Sequence, residues 1–257
     1  MDAWFSALIG THALTIAAAR ALDEDGFVVL PGPIGPDEFP RLEAAYDASV
    51  EHADPADRSN GRTGATTRVH DFVNRDPVFD ALYVHPPVLD ACCRIIRRPF
   101  KLSTMHGRTL NPHQAPQGLH ADFPRADDDV SAGAWPMVGF IFMVDPFTAD
   151  NGATLFVPGS HQWSHARREV PADHPDQMPA CGPAGSMIVF NGSAWHGHGA
   201  NRTDRPRRSL QGALIRRDAP AWLNLPARMR PETLARIGEL AKYLIGVDAD
   251  LPASDPV

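Results

Sequence analysis

Met137-Val138-Gly139-Phe140-Ile141-Phe142-Met143-Val144 is an apolar run in the middle of this 257-residue chain. A short run of this kind between turn-forming residues is consistent with a strand that is buried on both faces. Further strands are predicted at 101–105, 153–157, 186–190 and 208–215, where similar runs are separated by Gly, Pro, Asn and Asp. Many short strands in succession favour a β-sandwich or a barrel.

Helical patterns lie on both sides of this strand-rich region. Phe39, Leu42, Tyr46 and Val50 recur at intervals of three and four residues, which predicts an amphipathic helix. The other elements predicted outside the strand-rich region are helices at 12–24, 87–97 and 231–244, a strand at Phe27–Leu30 and a surface loop at 52–68.

The chain is predicted to form a single domain over 1–257, with N-terminal helices in 1–98, a β core at about 100–217 and a helical segment in 219–250. The formal charge of −7 and the absence of a long basic run argue against nucleic-acid binding. No run reaches the roughly 18 to 20 apolar residues of a membrane helix, so no membrane partner is expected. The three cysteines lack the spacing of a disulfide framework, which favours a reducing compartment, and we expect a cytoplasmic protein.

A candidate metal site follows from the run Gly118-Leu119-His120-Ala121-Asp122-Phe123 and from a second histidine cluster at His196 and His198. On an extended strand, side chains two residues apart point to the same face, so His120 and Asp122 are expected to do so. A histidine from another strand would complete a triad of two imidazoles and one carboxylate, the ligand set of non-haem Fe(II) oxygenases. A second His-x-Asp pair, His174 and Asp176, shows that the pair alone is also compatible with ordinary surface use.

Four segments carry a resemblance to a known family: Leu22 to Leu30, His120 to Asp122, Asn151 to His161 and His196 to Asn201. The third begins with Asn-Gly and ends with Pro-Gly-Ser-His, and the fourth reads His-Gly-His-Gly-Ala-Asn. In this order they resemble the phytanoyl-CoA dioxygenase family, a branch of the Fe(II)/2-oxoglutarate oxygenases. The resemblance implies a mainly β fold with flanking helices, namely the double-stranded β-helix or jelly roll that is also found in cupins.

The resemblance also implies metal and cofactor residues. His120, Asp122 and His196 match the iron ligands of the family, with His198 as the competitor for the third position. Because the family has its ligand at the first His of His-Gly-x-Gly, His196 is favoured, and His198 then matches a position beside 2-oxoglutarate. The implied cofactors are Fe(II) and O2, with 2-oxoglutarate as the co-substrate.

Arg207 matches the basic residue that binds the far carboxylate of 2-oxoglutarate in the family. A guanidinium suits this role because it can donate two parallel charged hydrogen bonds to a carboxylate. Alternation along this strand predicts that Ser209 and Gln211 share the face of Arg207, and that Leu210 and Leu214 lie on the other face. The neighbours Arg205 and Arg208 are the alternatives, and Arg208 would take the place of Arg207 if the register of the strand differed by one. Thr109 and Asn111 are further candidates for contacts to 2-oxoglutarate.

Candidates for the substrate pocket are Phe123, Phe140, Trp195 and Arg108. Each also has an ordinary structural interpretation, since aromatic residues commonly fill cores and arginines commonly lie at the surface.

The function that the resemblance implies is hydroxylation of a small organic metabolite, with release of succinate and CO2. Halogenating relatives resemble this family but carry Gly or Ala at the position of Asp122, so a carboxylate there favours hydroxylation. Two alternatives use the same ligands: a metal-dependent hydrolase with a metal-bound water as nucleophile, and a non-catalytic cupin-like binding protein. A small-molecule substrate is expected, and the chain is expected to be a monomer or a homodimer.

Overall fold

The structure is a computed structural model that describes residues 2–60, 64–123, 125–163, 170–171, 173–247 and 250. The helices are α1 (Ala3–Leu8), α2 (Ile16–Glu24), α3 (Phe39–Glu51), α4 (Asp80–Tyr83), α5 (Pro86–Ile95), α6 (Asp127–Ser131), α7 (Leu225–Arg228), α8 (Pro231–Arg236) and α9 (Glu239–Ile245). The strands are β1 (Phe27–Pro31), β2 (Arg58–Asn60), β3 (Thr66–Val69), β4 (Phe100–Leu110), β5 (Met137–Met143), β6 (Thr154–Phe156), β7 (Met178–Pro179), β8 (Ser186–Asn191), β9 (His196–His198) and β10 (Arg207–Arg216).

Two antiparallel sheets form the frame of the described part of the chain. The larger sheet has seven strands in the order β1-β8-β5-β10-β4-β3-β2, and the smaller has the order β7-β6-β9. Neighbouring strands in these sheets are mostly far apart in sequence, so the connections cross between the two sheets, as in a jelly roll.

The two faces of the larger sheet are covered by different partners. Phe142 and Leu210 point to a core that the sheet shares with the helices, which contribute Leu42 among others. Ile141 points to the opposite face, where Phe156 of the smaller sheet packs. Every residue of β5 is therefore buried, as its continuous apolar sequence predicted.

Two glycines in the larger sheet allow aromatic rings of neighbouring strands to lie across them. Gly139 pairs with Phe190, and Gly212 pairs with Phe140. A Cβ atom at either glycine would lie 2.2 Å from the Cζ atom of the facing ring. Because Gly139 has no side chain, the Phe190 ring can lie directly over it, and this ring forms one wall of the site described below.

We expect Gly139→Ala to lower the free energy of unfolding by about 1–3 kcal/mol, because the added methyl group must displace the Phe190 ring in a packed interior. Urea denaturation followed by circular dichroism measures this change. Gly35→Ala is the matched control, since no atom lies within 4 Å of a Cβ built at Gly35. Equal midpoints for the two variants would show that the ring moves at little cost.

The segment predicted as a surface loop at 52–68 contains a β-hairpin, which corrects that expectation. β2 and β3 pair with each other, and β3 adds to the larger sheet beside β4. β2 is the outermost strand of the larger sheet, and edge strands commonly carry polar and charged residues. The sequence of the hairpin is therefore too polar to show the apolar alternation that predicts a strand. Residues 61–63 of this segment lie outside the described part of the chain.

Two predicted helices also have different bounds. α2 begins at Ile16, not at residue 12, because the Thr15 hydroxyl accepts a hydrogen bond from the Ala18 amide and caps the helix there. The helix predicted over 231–244 is divided into α8 and α9. Ile237 is extended, with ψ 144°, and Gly238 is the N-cap of α9.

Cys92, Cys93 and Cys181 are free thiols, in agreement with the absence of a disulfide framework in the sequence. Among the helices that the structure describes, none combines the length and the apolar character needed to cross a membrane.

Candidate active site

Two extended segments bring the predicted metal ligands together. His120 follows β4 and its loop, and His196 opens β9. The His120 amide donates to the His196 carbonyl at 2.9 Å, and the His196 amide donates to the His120 carbonyl at 2.8 Å. This reciprocal pairing sets the two histidines side by side, with their ring centroids 4.6 Å apart.

Asp122 completes a compact group of possible ligands. One carboxylate oxygen lies 3.5 Å from His120 Nε2, and the other lies 3.5 Å from His196 Nε2. One ligand atom from each of the three side chains lies within 4.8 Å of the others, a spacing that a single metal ion can bridge.

The hydrogen bonds of both imidazoles leave Nε2 free to bind a metal. His120 Nδ1 lies 3.2 Å from the Gly118 carbonyl oxygen, and His196 Nδ1 lies 2.9 Å from the Ala194 carbonyl oxygen. Because a carbonyl only accepts, each Nδ1 carries the proton and donates, so Nε2 keeps its lone pair.

The surroundings favour the protonation states that metal binding needs. The His196 ring packs against Phe156 and Phe190, with centroids 5.3 and 4.8 Å away. Burial lowers the pKa of His196 to about 4, so this imidazole is neutral near pH 7. Burial alone would raise the pKa of Asp122, but His196, His120 and Arg108 outweigh it and lower this pKa to about 2. The site thus offers a neutral imidazole at His196 and an ionised carboxylate at Asp122.

His198 lies in the same cavity but outside this group of ligands. Its Nδ1 lies 2.9 Å from the Gly199 carbonyl oxygen, and burial lowers its pKa to about 4. His198 is therefore a neutral polar group in the cavity wall, near the triad that His196 completes.

Arg207 is almost completely buried, with 1% of its surface exposed. Its Nη2 donates to the Gly152 carbonyl oxygen at 3.0 Å, its Nη1 lies 3.4 Å from Ser209 Oγ, and its guanidinium lies 4.0 Å from the Phe147 ring centroid. Its Nε has no hydrogen-bond partner, and within the described residues no carboxylate pairs with it. Burial lowers the pKa of Arg207 to about 10, so the guanidinium keeps its charge at neutral pH.

The register of β10 agrees with the one predicted from sequence. Ser209 and Gln211 share the inward face with Arg207, whereas Leu210 and Leu214 lie in the core beneath the helices. Arg208 points to the opposite side, where it pairs with three carboxylates, those of Asp145, Asp47 and Glu43. Arg205 is exposed at the start of the strand.

A cavity of about 100 Å³ opens beside the triad. Its lining includes several polar residues that the sequence did not single out: Arg68, Thr104, His106, Gln117 and Thr154. Thr104, His106 and Arg108 alternate along β4, so a longer predicted strand would have put all three on one face. Arg68 lay within the segment predicted as a loop.

Thr109 and Asn111 are not among the described residues that line this cavity, and their contact with 2-oxoglutarate remains a prediction. Thr109 Oγ1 lies 3.0 Å from Tyr46 Oη, on the helix side of β4, because strand alternation turns it away from Arg108. Asn111 Nδ2 lies 3.4 Å from the Gly64 carbonyl oxygen, and neither residue is part of the cavity wall that the structure describes.

The candidate pocket residues are divided between the cavity and its surroundings. Arg108 lines the cavity, and Phe140 contributes to its wall although its ring is buried in the helix-side core. Phe123 packs beside the cavity in a cluster with Met137. Trp195 packs with Leu119 and Val157 and is not among the described residues that line the cavity, so its place in the substrate pocket remains a prediction.

His161 is a packed, hydrogen-bonded histidine. It is 2% exposed, and its Nε2 lies 3.2 Å from the Asp23 carbonyl oxygen. It borders a separate cavity of about 540 Å³ near Trp135 and Arg94. In the described part of the chain, that larger cavity has no group of three possible metal ligands, so we assign the chemistry to the smaller one.

Comparison with known proteins connects this geometry to an enzyme class. The chain is 32% identical to dioxygenase trt7 of Aspergillus terreus over 209 residues, which cover 77% of this chain and 72% of trt7. The structure of HygX from Streptomyces hygroscopicus, solved with nickel and 2-oxoglutarate, matches with a TM-score of 0.66 at 19% identity, covering 82% of this chain and 91% of HygX. SnoK, a non-haem α-ketoglutarate-dependent carbocyclase from nogalamycin biosynthesis, matches with a TM-score of 0.66 at 19% identity, covering 86% and 93%.

The structural likenesses confirm the double-stranded β-helix that the sequence motifs implied. This fold, with two imidazoles and a carboxylate at one cavity, defines a non-haem iron, 2-oxoglutarate-dependent dioxygenase. The family model for phytanoyl-CoA dioxygenase (PhyH) matches residues 22–209, and the chain belongs to that family.

Proposed function

We propose that the protein hydroxylates a small organic metabolite, with Fe(II) held by His120, Asp122 and His196 and with 2-oxoglutarate as co-substrate. The observation that carries the proposal is the compact triad, in which the ligand atoms lie within 4.8 Å of one another. The donor set fits Fe(II), because both imidazoles present a free Nε2 and the carboxylate is ionised. When bound, Fe(II) supplies the redox chemistry that couples O2 to the oxidation of 2-oxoglutarate to succinate and CO2.

The chain supplies binding, orientation and electrostatics to this reaction. Arg207 would pair with the far carboxylate of 2-oxoglutarate, since its buried guanidinium has no carboxylate partner within the described residues. The face of β10 that carries Arg207 also presents Gln211 to the cavity. His198 would stand beside the co-substrate as a neutral hydrogen-bonding group.

Hydroxylation is favoured over halogenation because Asp122 occupies the carboxylate position. A carboxylate there fills the metal site that a halide would need. The small-molecule character of the substrate is supported by SnoK, a carbocyclase from nogalamycin biosynthesis, and by HygX, which has been solved with hygromycin B.

The test is anaerobic addition of 2-oxoglutarate to the Fe(II)-loaded protein, followed by exposure to O2. We expect a visible charge-transfer band on addition of 2-oxoglutarate and release of succinate on aeration. A hydrolase would release product without consuming O2, and a binding protein would release no product. Absence of both the band and succinate in an iron-loaded protein would reject the proposal.

We expect Asp122→Gly to abolish succinate-coupled hydroxylation while the protein retains part of its metal, because the imidazoles of His120 and His196 remain. Metal analysis of the purified variant and succinate release measure the two effects separately. Asp176→Gly, in the exposed His-x-Asp pair that lies outside the triad, is the matched control. Undiminished activity in Asp122→Gly would show that another group provides the carboxylate ligand.

A further inference from the structure

The cavity beside the triad carries more positive charge than the proposed reaction with 2-oxoglutarate uses. Arg68 and Arg108 both line it, whereas Asp122 is the only carboxylate among its described lining residues. Asp122 belongs to the metal triad and is therefore committed to the metal ion. Two guanidinium groups remain without a counter-charge in the described cavity wall.

Arg108 is built into the wall and does not extend into solvent. It is 8% exposed, its Nη2 donates to Gln117 Oε1 at 3.0 Å, and its Nε is buried without a hydrogen-bond partner. Burial, reinforced by Arg68 and Arg207, lowers the pKa of Arg108 to about 9, so it is still charged near pH 7. A buried charge with one neutral partner is costly unless an anion binds to it.

Arg68 lies directly opposite Arg108 on the neighbouring strand. The two residues are register partners of β3 and β4, and Arg68 Nε is also buried without a hydrogen-bond partner. Like charges that are directly opposite on neighbouring strands destabilise a sheet. By contrast, Arg208 and Arg216 on β10 each pair with at least two carboxylates. The unpaired arrangement of Arg68 and Arg108 therefore requires a reason other than stability.

The cavity has further unsatisfied polar groups next to this pair and an apolar wall beyond it. Both ring nitrogens of His106 are buried without partners, on the same face of β4 as Arg108. Met137, Ala213 and Trp222 also line the cavity, and Trp222 is 51% exposed. A ligand that fits has an anionic end and an apolar body.

We propose that Arg68 and Arg108 bind an anionic group of the substrate, a carboxylate or a phosphate, and that the apolar body of the substrate lies against Met137, Ala213 and Trp222. This inference rests on the proposed function, because it assigns Arg207 to 2-oxoglutarate and leaves Arg68 and Arg108 to the substrate. Two guanidiniums can each donate charged hydrogen bonds to one oxyanion, which satisfies their donors and relieves their mutual repulsion.

The test uses the full-length protein loaded with Ni(II), which is redox-inert here, and saturated with 2-oxoglutarate. Benzoate, phenyl phosphate and benzamide are titrated separately by isothermal titration calorimetry, so that charge changes while the aromatic body is kept. We expect benzoate or phenyl phosphate to bind at least about tenfold more tightly than benzamide, and the better of the two identifies the type of anion.

Arg108→Gln and Arg68→Gln should each reduce this preference to less than about threefold, and Arg108→Lys should restore part of it because the charge returns. Arg205→Gln removes the same charge from an exposed position and should leave the preference unchanged. Circular dichroism of each variant establishes that it folds, and if one glutamine variant does not fold, the other carries the comparison.

Two results would overturn the inference. One is equal binding of both anions and benzamide to the wild-type protein. The other is a loss of 2-oxoglutarate affinity in Arg108→Gln as large as in Arg207→Ala, which would make Arg108 a co-substrate residue. Before the anions are added, 2-oxoglutarate itself is titrated into the Ni(II) protein. No 2-oxoglutarate binding in that titration would be a failure of the proposed function, and it is therefore distinguished from the two results above.

Discussion

His196→Ala is expected to lose its iron and its activity, whereas His198→Ala is expected to keep its iron. His196 presents a free Nε2 at 3.5 Å from Asp122, and its ring is fixed by Phe156 and Phe190. Loss of an outer hydrogen-bonding partner of a metal ligand already costs about 10–100-fold in metal affinity, so loss of the ligand itself should exceed that range. The iron content of both purified variants and their succinate release measure the effect.

His198 cannot replace the missing ligand without rearrangement of the site. Although it lies two residues along β9, it is not part of the group of atoms that converge within 4.8 Å. His198→Ala therefore serves as the control that removes an imidazole from the same cavity. An iron-replete and active His196→Ala protein would reject the assignment of the triad.

The proximity of His120 and Asp122 could be predicted from sequence because it depends on a simple local rule. His120 and Asp122 are two residues apart in an extended segment, so their side chains share a face. The partner histidine was identified by its motif, and no periodicity indicates that the His120 and His196 backbones pair. That pairing depends on the loop between Leu110 and His120, whose path follows from tertiary contacts such as the hydrogen bond from the Gln117 amide to the His198 carbonyl.

The direction in which the β10 side chains point could also be predicted, whereas the length of β4 could not. Alternation of polar and apolar residues after Arg207 correctly put Ser209 on the inward face and Leu210 on the outward face. β4 was predicted to end at residue 105, but it continues to Leu110. With the longer strand, alternation selects Arg108 for the cavity and excludes Thr109.

The edge hairpin was missed for a different physical reason. β2 is the edge strand of the larger sheet and has no buried residue, and β3 buries Thr66 and Val69, so the segment needs few apolar residues and its composition resembles that of a loop. This omission matters for function, because Arg68 reaches the cavity from β3. A sequence pattern that depends on burial is weakest at sheet edges, and here a sheet edge supplies part of the candidate site.

Arg207→Ala is expected to weaken 2-oxoglutarate binding about a hundredfold or more while leaving iron binding intact. If Arg207 pairs with the far carboxylate, its removal leaves that carboxylate buried and unpaired, which typically costs about 3–5 kcal/mol, and each 1.4 kcal/mol corresponds to about a tenfold change in affinity. Arg207 is not among the possible metal ligands, so the metal should remain. Titration of 2-oxoglutarate into the anaerobic Fe(II) protein, followed by the charge-transfer band, measures the affinity.

Arg207→Lys should recover only part of the lost affinity, because lysine keeps the charge but lacks the planar pair of donors. Arg205→Ala is the control at an exposed position and should bind 2-oxoglutarate like the wild type. Arg208→Ala should also bind 2-oxoglutarate normally, but it should unfold at a lower temperature, because it leaves Asp145, Asp47 and Glu43 without their shared cation. If Arg208→Ala weakened 2-oxoglutarate binding and Arg207→Ala did not, the co-substrate would have to lie on the opposite face of β10, and the assignment of Arg207 would be wrong.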